Sequence, residues 1–279
     1  MTRSKHDRWL SLLFHLILIV FVLIAIFPVW FILQAALQPG QALYSTELSL
    51  WPAEATFDNF RYMFTEELLL EWLGNSLKIA GLTTVTAVII STSAAYAFSR
   101  WRFVGRNTML VLLLAIQAFP SLLSLVAIYQ ILRGLQLINN HLSLVLVYTA
   151  SALVFTTWNM KGYFDTIPTD LEEAALIDGA TPVQAFLKVI LPLAKPGLVV
   201  TALFAFLSGW NEFAMANVLL TGEKMWTLPV GLFSLQRDYR IPWGYFAAGA
   251  LVNAIPVMLL FLFLQRNLVS GLTTGGMKG

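Results

Sequence analysis

The sequence predicts an all-α, polytopic membrane fold, and three observations predict it. Of 279 residues, 58% are hydrophobic and 11% charged, under half the roughly 25% charge of a soluble domain. Apolar stretches long enough to cross hydrocarbon recur along the whole chain, and lysine and arginine are unevenly shared between the loops that join them. The same composition excludes other classes. A net charge of +2 with high hydrophobicity excludes disorder. Without cysteine there is no disulfide framework, zinc–thiolate site or iron–sulfur cluster. His6, His15 and His141 are too scattered to form a metal site, and so small a net charge leaves no nucleic-acid footprint. Lipid is the expected surrounding.

A helix needs about 20 mostly apolar residues to cross the hydrocarbon core. Six segments qualify. Residues 10–33 hold no Asp, Glu, Lys or Arg, and the run is longer than the core of a cleaved signal peptide, so a retained span is expected. Residues 76–99 form the second span, rich in Ala, Thr, Ser and Gly. Residues 109–132 form the third, with Pro120 at its middle, and residues 142–160 the fourth. Residues 197–220 form the fifth, interrupted by Trp210-Asn211-Glu212, and residues 245–265 the sixth, with Pro256 inside. Together they take about half the chain, which implies one membrane domain over residues 1–279 without a separate soluble one. With the N-terminus inside, eleven Lys and Arg fall on inner segments and five on outer loops, leaving aside Lys78 near a span end. Both termini are therefore expected in the cytoplasm.

The longest inner loop, residues 161–196, carries strong local signals. Thr169-Asp170-Leu171-Glu172 fits a capping box, and Pro168 precedes it. The helix should stop at Asp178-Gly179, because glycine adopts the left-handed conformation that ends helices. A second box, Thr181-Pro182-Val183-Gln184, starts another helix that should end before Pro192. Ala174 and Ala175 beside Glu172 and Glu173 make a knob of little bulk. Three lysines against five carboxylates give the loop an acidic balance. A basic partner explains this; an ordinary amphipathic helix on the membrane surface also fits.

Glu173-Ala174-Ala175-x3-Gly179-x9-Val189-x-Leu191-Pro192 resembles the EAA loop of binding-protein-dependent ATP-binding-cassette importers, with Val189 in place of isoleucine. Gly209-Trp210-Asn211-Glu212-Phe213, Thr227 to Leu232 and the ending Leu272 to Gly279 resemble permeases for sugars. The Gly-Gly-x-Lys-Gly ending is most similar to G-type permeases of maltose and maltodextrin importers. The resemblance implies a six-span permease core and an EAA loop that enters a cleft of the ATPase, with Glu172, Glu173, Ala174, Ala175, Asp178, Gly179, Leu191 and Pro192 as its docking residues. It also implies a second, F-type permease, two ATPase subunits and a periplasmic or extracellular sugar-binding protein as partners. The membrane would be the bacterial or archaeal plasma (inner) membrane. ATP and magnesium would be bound by the partner subunits, and this chain would be no enzyme. Consistent with that, no Gly-Lys dipeptide exists to build a Walker phosphate loop.

Other polar positions keep two readings. Glu212 lies well inside a predicted span, where a carboxylate costs at least about 2.5 kcal/mol. It is either a structural or gating group bonded to a neighbouring helix, or a coupling or sugar-binding acid. Gln117 and Asn253 stand near Pro120 and Pro256, where they could satisfy freed carbonyls or line a cavity; Asn211 belongs to the same polar set. The outer-loop residues Arg237, Asp238, Tyr239, Arg240 and Pro242 form either a solvated loop anchored by Trp243 or, by resemblance, the loop that enters the binding protein's cleft. The tail 267–279 is expected to be flexible, and the resemblance takes Gly275, Gly276 and Lys278 to the ATPase. Two alternatives remain on the substrate and the class. One is a permease for another sugar or glycerol-3-phosphate, and the other is a self-contained secondary transporter using Glu212. Only the first class needs a docking loop.

The orientation is testable because the native chain has no cysteine. A single cysteine replacing Ser45 should react with a membrane-impermeant maleimide in intact cells, and one replacing Ser99 should not. The reverse pattern would overturn the orientation.

Overall fold

The computed structural model describes residues 5–40, 51–52, 54–236 and 241–275. Its helices are Lys5–Leu37 (α1), Asp58–Thr65 (α2), Leu69–Arg100 (α3), Arg106–Gln117 (α4), Ser121–Gly134 (α5) and His141–Asp165 (α6). Asp170–Ile177 (α7), Pro182–Ala185 (α8), Leu191–Leu193 (α9), Lys195–Trp210 (α10), Ala214–Leu219 (α11), Leu228–Ser234 (α12) and Trp243–Gly275 (α13) follow. No strand occurs among the described residues, so the fold is all-α as expected.

Among the described residues, four helices are each long and apolar enough to cross a membrane: 9–37, 69–100, 141–165 and 243–265. A fifth arises if Pro182–Leu193 and Lys195–Trp210, bent by 78°, count as one. The expected third span is not continuous. Pro120 is extended (φ −61°, ψ 118°) and splits it into α4, of 12 residues, and α5, of 14. At 1.5 Å per residue these measure about 18 and 21 Å, short of the roughly 30 Å core. The reason is steric: proline lacks an N–H and clashes with the preceding turn, and it drives the residue before it out of the helical region. The fifth span also breaks. Its helix α10 ends at Trp210, and the chain resumes as the short α11.

Residues Met1–Leu69 and Leu232–Ala254 form one compact unit. The apolar window of α1 buries none of its residues within the chain, and its end is tied down by α2. The Asn59 amide donates to the carbonyls of Ala36 (2.9 Å) and Gln38 (3.0 Å). The rings of Tyr62 and Tyr245 stack at 4.0 Å.

Residues Leu70–Gly231 and Ile255–Gly279 form the other unit. Here α3, α6 and α10 meet through Ala87, Ala152 and Ala205. Small residues suit a membrane interior, where close backbone approach replaces hydrophobic driving force. Hydroxyl and amide pairs join the same helices: Thr86 Oγ1 to Thr149 Oγ1 at 2.6 Å, and Asn159 Nδ2 to Thr201 Oγ1 at 2.9 Å. Gly209 follows from that approach, since a Cβ there would stand 3.2 Å from Ala80 Cα. The ring of Trp72 occupies the space a Cβ on Gly231 would need.

The segment 223–228 is pinned by side chains. Trp72 Nε1 donates to the Glu223 carbonyl, Asn75 Nδ2 to those of Lys224 and Trp226, and His141 Nε2 to that of Met225, all within 2.8–2.9 Å.

Gly209→Leu should push α10 off α3 and lower stability by about 1–3 kcal/mol, as overpacked sites do. Gly74→Ala, in α3 with nothing within 4 Å of a new Cβ, should hold or raise it. Thermal unfolding of the detergent-purified complex would separate the two.

Candidate functional site: the loop between α6 and α10

The loop opens on a short helix that its own glycine closes. In α7 the terminal N–H of Gly179 donates to the Leu176 carbonyl at 3.1 Å and that of Ala180 to the Ala175 carbonyl at 3.0 Å. Gly179 sits at φ +88°, so the pair forms a Schellman end that a side chain would strain. Asp178 is the exposed C-cap.

The predicted capping box at Thr169 does not form. Thr169 is itself helical and makes no side-chain cap bond, while the amides of Glu172 and Glu173 reach its backbone carbonyl. The Glu172 carboxylate is drawn inward instead. It accepts from the Tyr96 hydroxyl, and Arg100 Nε lies 3.1 Å from its second oxygen. A guanidinium and a phenol outcompete one backbone amide because charge-assisted bonds are about twice as strong as neutral ones. Both ionic side chains are largely shielded, at 8% and 16% exposure. Arg100 also donates to the Ile167 carbonyl at 3.0 Å. Nearby, Asp165 accepts from Ser99 (2.7 Å) and Lys161 (2.6 Å).

Adjacent glutamates therefore point to different surroundings. Glu172 fastens α7 to the end of α3, and Glu173 is exposed beside Ala174, while Ala175 is half-buried. Leu171, Leu176 and Ile177 are also exposed, Ile177 at 86%. Beneath α7, Ala95, Tyr96, Met160, Phe164, Ile167, Ile190 and Ala194 make one buried cluster.

The second predicted capping box is present. Thr181 N donates to Gln184 Oε1 at 2.9 Å, and Gln184 N to Thr181 Oγ1 at 3.3 Å. The helix it starts does not end before Pro192. Phe186–Ile190 forms a π turn and α9 carries Pro192 in its first turn. The wider turn relieves the proline clash. Leu191 is half-buried and Pro192 exposed.

Glu212 is held by three donors. Tyr148 donates to one oxygen at 2.5 Å, and the amides of Met215 (2.8 Å) and Ala216 (3.2 Å), at the start of α11, donate to the carboxylate. This satisfies donors that a helix start leaves unpaired. Asn211, just before it, is exposed. Gln117, the last residue of α4, lines a cavity of about 470 Å³ with residues of α6 and α10. Asn253 is half-buried, and its Oδ1 has no hydrogen-bond partner among the described residues.

Pro242 precedes α13, its carbonyl accepting from Phe246 N at 3.0 Å; Arg237, Asp238, Tyr239 and Arg240 lie outside the described residues. The tail differs from the flexible form expected, because α13 continues as helix through Gly275. One glycine, Gly271, costs a helix only about 1 kcal/mol and does not stop it. Gly276 and Lys278 lie outside the described residues. The partners Tyr96 and Arg100 were missed by sequence reasoning, which used the Arg100, Arg102 and Arg106 group only to orient the chain.

A family model described as "Binding-protein-dependent transport system inner membrane component" matches residues 87–274. The chain is 40% identical over 280 residues to the galactooligosaccharides transport system permease protein GanQ of Bacillus subtilis, covering 99% of this chain and 98% of that one. It is 38% identical over 298 residues to the maltose/maltodextrin transport system permease protein MalG of Salmonella typhimurium, covering 100% and 99%. A solved bacterial ABC transporter involved in the import of the acidic polysaccharide alginate has a chain with TM-score 0.78 and 25% identity, covering 95% of this chain and 99% of that one. This chain belongs to the binding-protein-dependent inner-membrane family: it is a permease subunit of an ABC importer, works with ATPase and substrate-binding partners, and is not itself an enzyme.

Proposed function

We propose that this permease pairs with a second, F-type permease and two ATPase copies to import a neutral oligosaccharide, maltodextrin first among the candidates. A binding protein outside delivers the sugar, and both termini of this chain lie in the cytoplasm. ATP and magnesium are bound in the ATPase subunits, and this chain needs no cofactor of its own. The maltose/maltodextrin and galactooligosaccharide relatives support the substrate class.

The observation that carries the docking role is the two-sided α7. One side is fastened to α3 through Glu172, and the other presents Glu173, Ala174 and exposed leucine and isoleucine side chains. Exposed apolar groups rimmed by charge mark an interaction surface. The small residues admit a cleft closely, and Glu173 supplies a carboxylate for a basic residue within it. Pro192 and Leu191 complete the loop's return toward α10. The outer loop Arg237 to Pro242 enters the binding protein, and the tail from Gly275 through Lys278 contacts the ATPase pair. Holding Glu212 with three donors disfavours the secondary-transporter reading, which needs a carboxylate free to exchange a proton.

Glu173→Lys should turn an attraction into a repulsion at a partly dehydrated contact. Uptake and ATPase co-purification should fall while membrane insertion persists. Gly179→Pro should do the same by breaking the Schellman end. Glu172→Gln, which keeps the Tyr96 bond but weakens that to Arg100, should cost about 1–2 kcal/mol and lower ATPase coupling without abolishing assembly. Parental uptake in the Glu173→Lys complex would sink the docking role. Deleting Thr273 to Gly279 should lower ATP hydrolysis per sugar-loaded binding protein, and an unchanged rate would make the tail dispensable.

A further inference from the structure

Gln117, the last residue of α4 before the break at Pro120, lines a cavity of about 470 Å³ together with residues of α6 and α10. Its volume falls in the roughly 300–1,000 Å³ range of small-molecule sites. Gln117, Ser151, Thr156 and Ser208 bring polar groups to it, and Phe155 and Phe204 bring aromatic faces. No charged residue lines it among the described residues. Thr156 already donates to the Ala152 carbonyl at 2.8 Å, leaving its oxygen as an acceptor. The side chains of Gln117, Ser151 and Ser208 make no hydrogen bond among the described residues. Left dry at mid-span, those three groups would be costly.

The two phenyl rings lie 4.7 Å apart at 60° and are each nearly half exposed. A benzene face is electron-rich and its edge positive, so it attracts the polarised C–H groups on the flat side of a pyranose. Hydroxyl and amide groups around it match ligands whose hydroxyls both donate and accept. The absence of charge selects a neutral ligand. Discontinuous helices near the bilayer midplane are where transporters place substrate.

We infer that this cavity is a carbohydrate-contact subsite belonging to this chain: a sugar ring rests on Phe155 and Phe204 while its hydroxyls bond Gln117, Ser151 and Ser208. The inference rests on the oligosaccharide reading above and adds a contact surface to it. Sugar selectivity is then set partly in this subunit and not only in its paired permease.

The test uses the whole importer in proteoliposomes with its binding protein and maltotriose. Ser151→Cys and Ser208→Cys are nearly isosteric in a chain that otherwise has no cysteine. In the complex held with ATP and vanadate, maltotriose should slow modification of both thiols by a small methanethiosulfonate about tenfold, the effect of roughly 1.4 kcal/mol of occupancy. A cysteine at the exposed Ser93, which does not line the cavity, should be indifferent to sugar. Phe204→Ala should raise the sugar concentration for half-maximal uptake about tenfold while binding-protein-stimulated ATP hydrolysis persists. Rapid labelling that sugar does not change would mean a cavity holding only water, and failure to label in either condition would mean a cavity filled by the paired permease. Either result overturns the subsite. A parental complex that takes up neither maltotriose nor a galactooligosaccharide overturns the oligosaccharide reading itself, before any variant is compared.

Discussion

Inside hydrocarbon every peptide N–H and C=O must find its partner within protein, and this constraint decides where the chain is allowed to break. Two interruptions bear on it. At Pro120 the helix stops, and Gln117 just before the break lines a cavity with Ser151 and Ser208. Past Trp210 the chain leaves α10, and the Glu212 carboxylate returns to accept the orphan amides of Met215 and Ala216. In the inner loop, by contrast, a π turn before Pro192 widens the helix so that it continues. The break past Trp210 carries its own compensation in the Glu212 carboxylate.

The same economy shapes the loop between α6 and α10. A lever transmits movement only if it cannot bend at its attachment. The short α7 has too few turns to be stable alone, yet three constraints hold it. The Schellman end fixes its last turn. Glu172 ties its first turn to Tyr96 and Arg100. A buried cluster containing Tyr96, Phe164 and Ile190 supports it from below. Close-packed interiors deform little, so under the docking role proposed above a push on the exposed face of α7 would reach the ends of α3 and α6. Pro182–Leu193 and α10 meet at a bend of 78°.

Much of this was legible in the sequence, for identifiable reasons. Apolar runs give spans because hydrocarbon thickness fixes helix length. Gly179 ended α7 where expected because a positive φ favours glycine, and Thr181 and Gln184 formed their box because nothing else competed for them. Thr169 and Glu172 have the same spacing and failed. Their competitor, Arg100, is 72 residues away in sequence, and local pattern does not encode such a distance. The positive-inside count treated Arg100 only as a charge facing water, whereas its side chain is 8% exposed. Span continuity was overestimated at Pro120 and at Asn211 for a related reason: hydropathy measures how apolar a segment is, not whether its backbone runs unbroken. The helical continuation to Gly275 was missed because glycine content was read as flexibility, although Gly271 is an isolated interruption.

Several mid-span polar groups fall into two kinds, while Thr83, Thr92 and Asn253 Oδ1, buried without a hydrogen-bond partner among the described residues, belong to neither. Glu212, Asn159, Thr86 and Thr149 have protein partners that join one helix to the next. Gln117, Ser151 and Ser208 face a cavity instead. The one carboxylate well inside the apolar segments belongs to the first kind, where three donors offset its burial, and the second kind is entirely neutral. A permease that must release its cargo gains from this arrangement. Buried charge holds tightly and suits permanent joints, whereas neutral hydroxyl, amide and aromatic contacts cost less to break. Strong contacts therefore sit where α6 meets α11, and under the subsite proposed above the weak ones sit where a sugar would have to leave.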